Sequence, residues 1–168
     1  MGHILGALGG ILVGLIVLGG AAGGLYSSFS KSNVGSTEEN LILTRMQIQQ
    51  FYAGTNYEGL TNEMAIKAGL FPKAFLRGTG GNASAINSFG GAITLEADTT
   101  NSRFSIKLDA IPQEECVQLA RFQSDAWDQV DVNGTTVIEA NTTKTADPTT
   151  VSNACQNSKT NYITYYAR

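Results

Sequence analysis

The first 30 residues contain no aspartate, glutamate, lysine or arginine, and the chain's 11 basic and 14 acidic side chains all fall in residues 31–168. From Ile4 to Tyr26 the sequence is entirely apolar or glycine. A helix of this length spans about 34 Å, which exceeds the roughly 30 Å hydrocarbon core of a bilayer. The sequence therefore predicts an apolar spanning segment joined to a polar head.

A cleaved secretory signal is the alternative interpretation of this segment. Such a signal has a shorter apolar region, and a basic region precedes it. Here only Met1, Gly2 and His3 come first, so we favour a retained spanning helix. The net charge of −3 also argues against a nucleic-acid partner, because proteins that bind nucleic acids are usually basic.

Nine of the 19 glycines lie in the first 30 residues. Several recur at every fourth position and would form one stripe on a helix: Gly2, Gly6, Gly10 and Gly14. Such stripes let helices in lipid approach closely. Glycine is also simply common in membrane helices, but the regular spacing favours helix–helix packing. Two doublets mark where this helix would unwind most easily: Gly19, Gly20, Gly23 and Gly24.

The polar residues 27–36 are either a linker or the exposed part of a continuing helix. Beyond them, one stripe has helical spacing: Leu41, Thr44, Ile48, Phe51 and Tyr52. The simplest prediction is one helix over about 2–53, stopped by Gly54. The chain then divides into an apolar half-helix (1–30), an amphipathic half-helix (31–54) and a globular head (55–168).

The head combines short helices with strands that alternate in polarity. We predict a helix over Thr61–Ala68, capped by Thr61 and stopped by Gly69, and a hairpin of strands 92–97 and 103–108. A second helix would run from Pro112 at its first position to Phe122, followed by a strand over 127–132 and a tight Asn133–Gly134 turn. A helix capped by Asp147 and a last strand over 162–167 complete the head. Residues 55–91 are otherwise loop-rich. The fold class is α+β, in which a long helix packs on an antiparallel sheet.

Cys116 and Cys155 are the two cysteines. An exported head in an oxidising compartment would pair them. The alternative is two free buried thiols in a cytosolic domain, which the spanning segment disfavours.

Catalytic signatures are lacking in the head. His3 is the single histidine, which excludes histidine triads and zinc–histidine sites there. The glycine-rich run 78–82 lacks the lysine of a phosphate-binding loop. Glu114 and Glu115 point about 100° apart on a helix, and the acids at 125, 128 and 131 lack the spacing of an EF-hand. We predict no enzymatic activity, no cofactor and no metal.

At this point the chain resembles the type IV pilins, and among them the type IVb, PilS-like major pilins. The resemblance rests on the apolar N-terminal helix, its amphipathic continuation and the cysteine pair. It is most specific in the segments IPQEECVQL (111–119) and VDVNGT (130–135). It implies the type IV pilin fold, with Cys116 and Cys155 forming a disulfide that bounds a C-terminal region.

The resemblance also implies a filament subunit. Its partners would be identical subunits in a helical homopolymer, with the inner membrane as anchor before assembly and the pilus assembly machinery acting on it. Residues expected to pack in the filament core are Met1, Gly2, Leu5, Gly6, Gly10 and Gly14. In the family a leader is removed before assembly, and Met1 is expected to be the mature first residue. Most type IV pilins carry a glutamate at position 5, where this chain has Leu5.

The expected function is therefore that of a major subunit of an extracellular type IVb pilus. Such a filament serves adhesion, aggregation or mating-cell contact, with a host or recipient cell surface as a further partner. The alternative is a monomeric, single-span anchored protein with an extracytoplasmic binding head, and a minor pilin or pseudopilin lies between the two.

Overall fold

The computed structural model describes residues 25–156 and 160–168, and side chains from residue 33 onward. Helix α1 runs from Leu25 to Phe51 without a break. The polar residues 27–36 thus belong to a continuing helix rather than a linker. The helix ends two residues before the predicted position 53, and Gly54 follows with a φ of +77°. Glycine adopts this left-handed conformation without steric cost, and it commonly ends helices in this way.

One face of α1 is buried and contributes to a single core with the head. Its buried apolar residues are Val34, Leu41, Ile48 and Tyr52. Two buried polar side chains on this face bond to the helix's own carbonyl groups. The Asn40 amide donates to the Ser36 carbonyl oxygen at 2.7 Å, and the Thr44 hydroxyl donates to the Asn40 carbonyl oxygen at 2.7 Å. These bonds satisfy buried polar groups that would otherwise destabilise the packing.

The described residues of the head form seven strands. In chain order they are β1 (Leu76–Arg77), β2 (Ser84–Ala85), β3 (Ile93–Asp98), β4 (Arg103–Ile111), β5 (Gln129–Val132), β6 (Thr135–Glu139) and β7 (Asn161–Ala167). Strands β3 to β7 form one antiparallel sheet in the order β3-β4-β7-β5-β6. The last strand therefore lies in the middle of the sheet, between β4 and β5. The β1–β2 ladder is separate and was not predicted.

Buried and more exposed side chains alternate along the central strands, so the sheet has one buried face. Phe104, Ile106 and Leu108 of β4 are fully buried, as are Ile163 and Tyr165 of β7. Successive side chains of a strand point to opposite faces, so the residues between these lie on the outer face. The buried face and the inner face of α1 share the same core. The predicted class, a long helix on an antiparallel sheet, is confirmed.

Three further helices connect the strands: α2 (Asn62–Lys67), α3 (Gln113–Arg121) and α4 (Pro148–Ala154). The predicted caps of α2 and α4 are confirmed. The Thr61 side chain accepts from the Met64 N–H, and the Asp147 side chain accepts from the Thr150 N–H. Pro112 is the N-cap of α3 with an extended backbone, rather than the first helical residue as predicted.

The loop between β2 and β3 is fixed to the sheet by Asn87, which is 1% exposed. Its amide nitrogen donates to the Asp109 carbonyl oxygen at 2.7 Å, and its side-chain oxygen accepts from the N–H groups of Phe89 and Gly91. Gly91 approaches β4 so closely that a Cβ atom there would lie 1.9 Å from the Asp109 carbonyl oxygen. Only glycine fits this position.

Strand β3 forms one edge of the sheet, and Asn62 of α2 occupies part of that edge. The Asn62 amide nitrogen donates to the Ile93 carbonyl oxygen at 2.6 Å, and its side-chain oxygen accepts from the Leu95 N–H at 2.7 Å. The side chain thus makes both hydrogen bonds that a neighbouring strand would make at these positions.

Candidate subunit-contact surfaces

The outer face of α1 exposes large apolar side chains. Leu43, Met46 and Phe51 are 40%, 48% and 51% exposed, and they are the exposed large hydrophobic residues of the described chain. Gln47 and Gln50 lie exposed between them. We call these five residues the α1 outer stripe. It carries no charge over two helical turns and lies opposite the face that packs in the core.

The prediction that Phe51 lies on the buried stripe of the helix is wrong. The spacing placed both Phe51 and Tyr52 on the buried stripe, but only Tyr52 is buried. Adjacent helical residues point about 100° apart, and Tyr52 takes the inner position, where its ring lies 5.9 Å from that of Tyr57. The Tyr57 ring in turn lies 4.9 Å from that of Phe104. The exposed Phe51 extends the outer stripe instead.

A groove of about 1000 Å³ lies between α2, the β1–β2 segment and the start of β3. We call it the α2 groove. Its apolar lining includes Ile66, Leu76, Ile86 and Ile93. Glu63 and Lys67 of α2 also line it and are ion-paired at 2.8 Å, so this pair brings no net charge to the groove.

Glycines form much of the groove wall at residues 78–81. Gly78 has a φ of +83°, and a Cβ atom there would lie 2.9 Å from the Asn82 carbonyl oxygen. Gly80 has a φ of +58°. Gly81 has neither a left-handed φ nor a close neighbour, because no atom lies within 4 Å of the position that its Cβ would take. This run is the glycine-rich segment that the sequence predicted to be a loop, and its small residues leave the groove open.

On the outer face of the sheet, charged and aromatic side chains contact one another. The Arg103 guanidinium lies 4.3 Å from the centre of the Tyr166 ring, and the Lys107 ammonium lies 4.6 Å from that of Tyr162. Arg103 also pairs with Asp98 at 2.7 Å. Hydrogen bonds from Arg103 and Asn101 lower the pKa of the Asp98 carboxyl. These contacts satisfy the face within one chain, so it is a weaker contact candidate than the α1 outer stripe.

The C-terminal part of α1 is held to the sheet by polar contacts that sequence reasoning missed. The Arg45 guanidinium lies 4.9 Å from the centre of the Trp127 ring, and burial lowers the Arg45 pKa, which the nearby Asp128 partly offsets. Gln49 donates a hydrogen bond to the main-chain oxygen of Arg168. Arg168 pairs with Asp128 at 3.4 Å. Because Arg45, Asp128 and Arg168 are far apart in sequence, no local pattern indicated this cluster.

The acidic residues at 125, 128 and 131, which lack the spacing of a calcium-binding loop, each have different neighbours. Asp128 faces Arg168, Asp131 accepts hydrogen bonds from the Gln129 amide, and Asp125 is exposed on a short 3₁₀ turn. Within residues 25–156 and 160–168, no group of three or more histidine, cysteine or acidic residues could hold a metal ion.

Cys116 and Cys155 form a disulfide with an S–S distance of 2.05 Å, which joins α3 to the residue after α4. The predicted pairing is confirmed. A pair of asparagines fixes the same region. The Asn133 amide donates to the Ala154 carbonyl oxygen at 2.8 Å and to the Asn161 side-chain oxygen at 2.7 Å. Asn161, which is fully buried, donates to the Ile111 carbonyl oxygen at 3.2 Å.

The residues predicted to pack in a filament core lie outside the described part of the chain: Met1, Gly2, Leu5, Gly6, Gly10 and Gly14. The doublets predicted to unwind lie outside it as well: Gly19, Gly20, Gly23 and Gly24. Among the helices of the described residues, none has the length and apolar character to cross a membrane.

A helix packed on a five-stranded antiparallel sheet, with a disulfide bounding the C-terminal region, is the fold of the type IV pilins. A family model described as PilS N terminal matches residues 30–167, and the chain belongs to this family. No curated protein matches the sequence.

Two solved structures share this fold. A type IVb pilin from Salmonella typhi is 22% identical, with a TM-score of 0.60 over 78% of this chain and 97% of that one. TcpA, a type IV pilin from Vibrio cholerae El Tor biotype, is 14% identical, with a TM-score of 0.58 over 82% of this chain and 99% of that one.

Proposed function

We propose that this chain is the major subunit of a type IVb pilus and polymerises through its N-terminal helix into an extracellular filament. The observation that carries the proposal is the uncharged α1 outer stripe, exposed in a chain whose first 30 residues also carry no charge. Apolar patches rimmed by polar residues commonly mark sites of contact with another protein. Membership of the PilS family supports the same function.

In this proposal, residues 1–30 anchor the subunit in the inner membrane and then pass into the filament core. Assembly exchanges lipid contacts for helix contacts, so close packing along the glycine stripe of Gly2, Gly6, Gly10 and Gly14 sets the register. Residues 31–54 join core to head, and the heads form the outer surface that meets host or recipient cells in adhesion, aggregation or mating contact.

The glycine stripe is tested by the substitutions Gly10→Leu and Gly14→Leu. Each should abolish filaments, because a leucine side chain holds neighbouring backbones apart. Electron microscopy of sheared surface material, from cells that also make the assembly machinery, measures the outcome. Gly10→Ala and Gly14→Ala are the matched controls and should assemble at least partly. An oxidised Cys116–Cys155 pair in every variant shows that the head is intact.

Two results would count against the proposal. Normal filaments from both leucine variants would show that the glycine stripe does not set the packing. Membrane-bound monomers alone, from the unchanged chain with its machinery present, would instead indicate a single-span anchored binding protein or a minor pilin.

A further inference from the structure

We propose that the α1 outer stripe of one subunit binds the α2 groove of the next subunit in the polymer. This inference rests on the proposed filament function and names the two surfaces that meet. An open filament requires a heterologous contact, in which one patch of a subunit binds a different patch of its neighbour. The described chain presents two such patches, an exposed apolar stripe and an apolar groove.

A subunit cannot place its own stripe in its own groove. Leu41, Thr44 and Ile48 face the core of the same head, and Leu43 and Met46 lie on the opposite side of the helix. The groove belongs to that same head, formed by α2 and the segment before β3. Another copy is therefore required to bring the two surfaces together.

The chemistry of the two surfaces matches. The stripe spans Leu43 to Phe51, a rise of about 12 Å, and has apolar side chains at i, i+3 and i+8 flanked by two glutamines. This is the helix-in-groove mode of recognition, in which an apolar helix face enters an apolar groove. The groove offers an apolar lining, and its lysine is already paired with Glu63. An anionic ligand would find no unpaired cation among the lining residues.

The groove wall also allows a helix to approach. Residues 78–81 include three glycines, so little side-chain bulk stands at the mouth. Gly81 is suited to a test, because its backbone φ lies outside the left-handed region and a side chain there would meet no atom within 4 Å. A large residue at this position should block the groove and leave the head unstrained.

The first test replaces Met46 with the photo-crosslinking residue p-benzoylphenylalanine in the full chain, assembled in cells with the machinery present. Irradiated filaments should contain covalent dimers, and mass spectrometry should map the partner peptide to residues 62–67 or 76–94. The same residue at Ser152 on α4, exposed and away from both surfaces, is the control and should not link to the groove.

The second test is Gly81→Phe in the full chain, with Ser152→Phe as the matched control. Gly81→Phe should lower the amount of assembled filament roughly tenfold or more, as expected when a central contact is lost. The Cys116–Cys155 disulfide and the thermal transition should be unchanged, and Ser152→Phe should assemble normally.

The outcomes separate this inference from the proposed function. Filaments whose residue 46 crosslinks map only outside the groove, or normal assembly of Gly81→Phe, would overturn the groove contact and leave the filament function standing. A lack of filaments from the unchanged chain would overturn both.

Discussion

At the scale of single residues, the fold depends on polar groups that are buried with partners. Tyr165 is fully buried in β7, with its ring 4.8 Å from that of Trp127. Its hydroxyl donates to the Leu119 carbonyl oxygen on α3 at 2.6 Å. Burial raises the pKa of this phenol well above its ordinary value. One side chain thus joins the sheet to a helix that local sequence patterns could not place beside it.

We expect Tyr165→Phe to lower the free energy of unfolding by about 1–2 kcal/mol at pH 7, because a buried carbonyl loses its partner. The native phenol has the higher pKa, so its contribution is complete below about pH 10 and is lost as the pH rises further and the unfolded phenol ionises. Urea titration of the full chain in micelles at pH 7 and 10.5 tests both effects. Tyr162→Phe, on the outer face, is the control; an equal loss in both variants would contradict the prediction.

At the scale of elements, the β5–β6 turn illustrates what a short motif reveals and what it hides. The Asn133–Gly134 pair predicted a tight hairpin, and both residues have positive φ, at 51° and 82°. The motif gave no sign that the Asn133 side chain would also bind Ala154, Asn161 and the Tyr162 N–H. The turn therefore secures the disulfide-bounded region as well as the hairpin.

Substitutions at this turn should separate backbone strain from hydrogen bonding. Asn133→Gly keeps the positive φ and loses the bonds, so we expect a loss of about 2 kcal/mol in unfolding free energy. Asn133→Ala adds roughly 1 kcal/mol of strain. Thermal or urea unfolding of the full chain measures both. Asn141→Ala, at an exposed residue with a φ of 62°, should show the strain alone. A glycine variant as stable as the parent would refute the bonding role.

Local signals predicted much of the head, and non-local packing decided the rest. The caps Thr61 and Asp147 and the first hairpin lie where the pattern placed them, because a cap or turn needs only neighbours in sequence. The insertion of β7 between β4 and β5 pairs β7 with β4 residues 50 to 63 positions away and with β5 residues 31 to 37 positions away. Periodicity gives no information on such pairing. The two contact surfaces were missed for the same reason, since exposure follows from tertiary packing.

At the scale of the whole molecule, the disulfide closes the C-terminal region across a separation of 39 residues. The double variant Cys116→Ala/Cys155→Ala should lose about 4 kcal/mol of stability, the chain-entropy value for a loop of this length. Urea unfolding of the full chain measures the loss, and the parent treated with reductant should shift by a similar amount. Unchanged stability in both would show that the asparagines hold the region without the bond.

The bonds of Asn62 to the edge of β3 bear on what happens when many copies of this head are crowded together. An uncovered strand edge is a template for joining sheets into cross-β aggregates, and the hazard grows with local concentration. Asn62 already occupies the donor of Leu95 and the acceptor of Ile93, so a strand from an adjacent copy finds these positions taken. At these two positions a single amide thereby hinders the β3 edge from pairing with the sheet of an adjacent head.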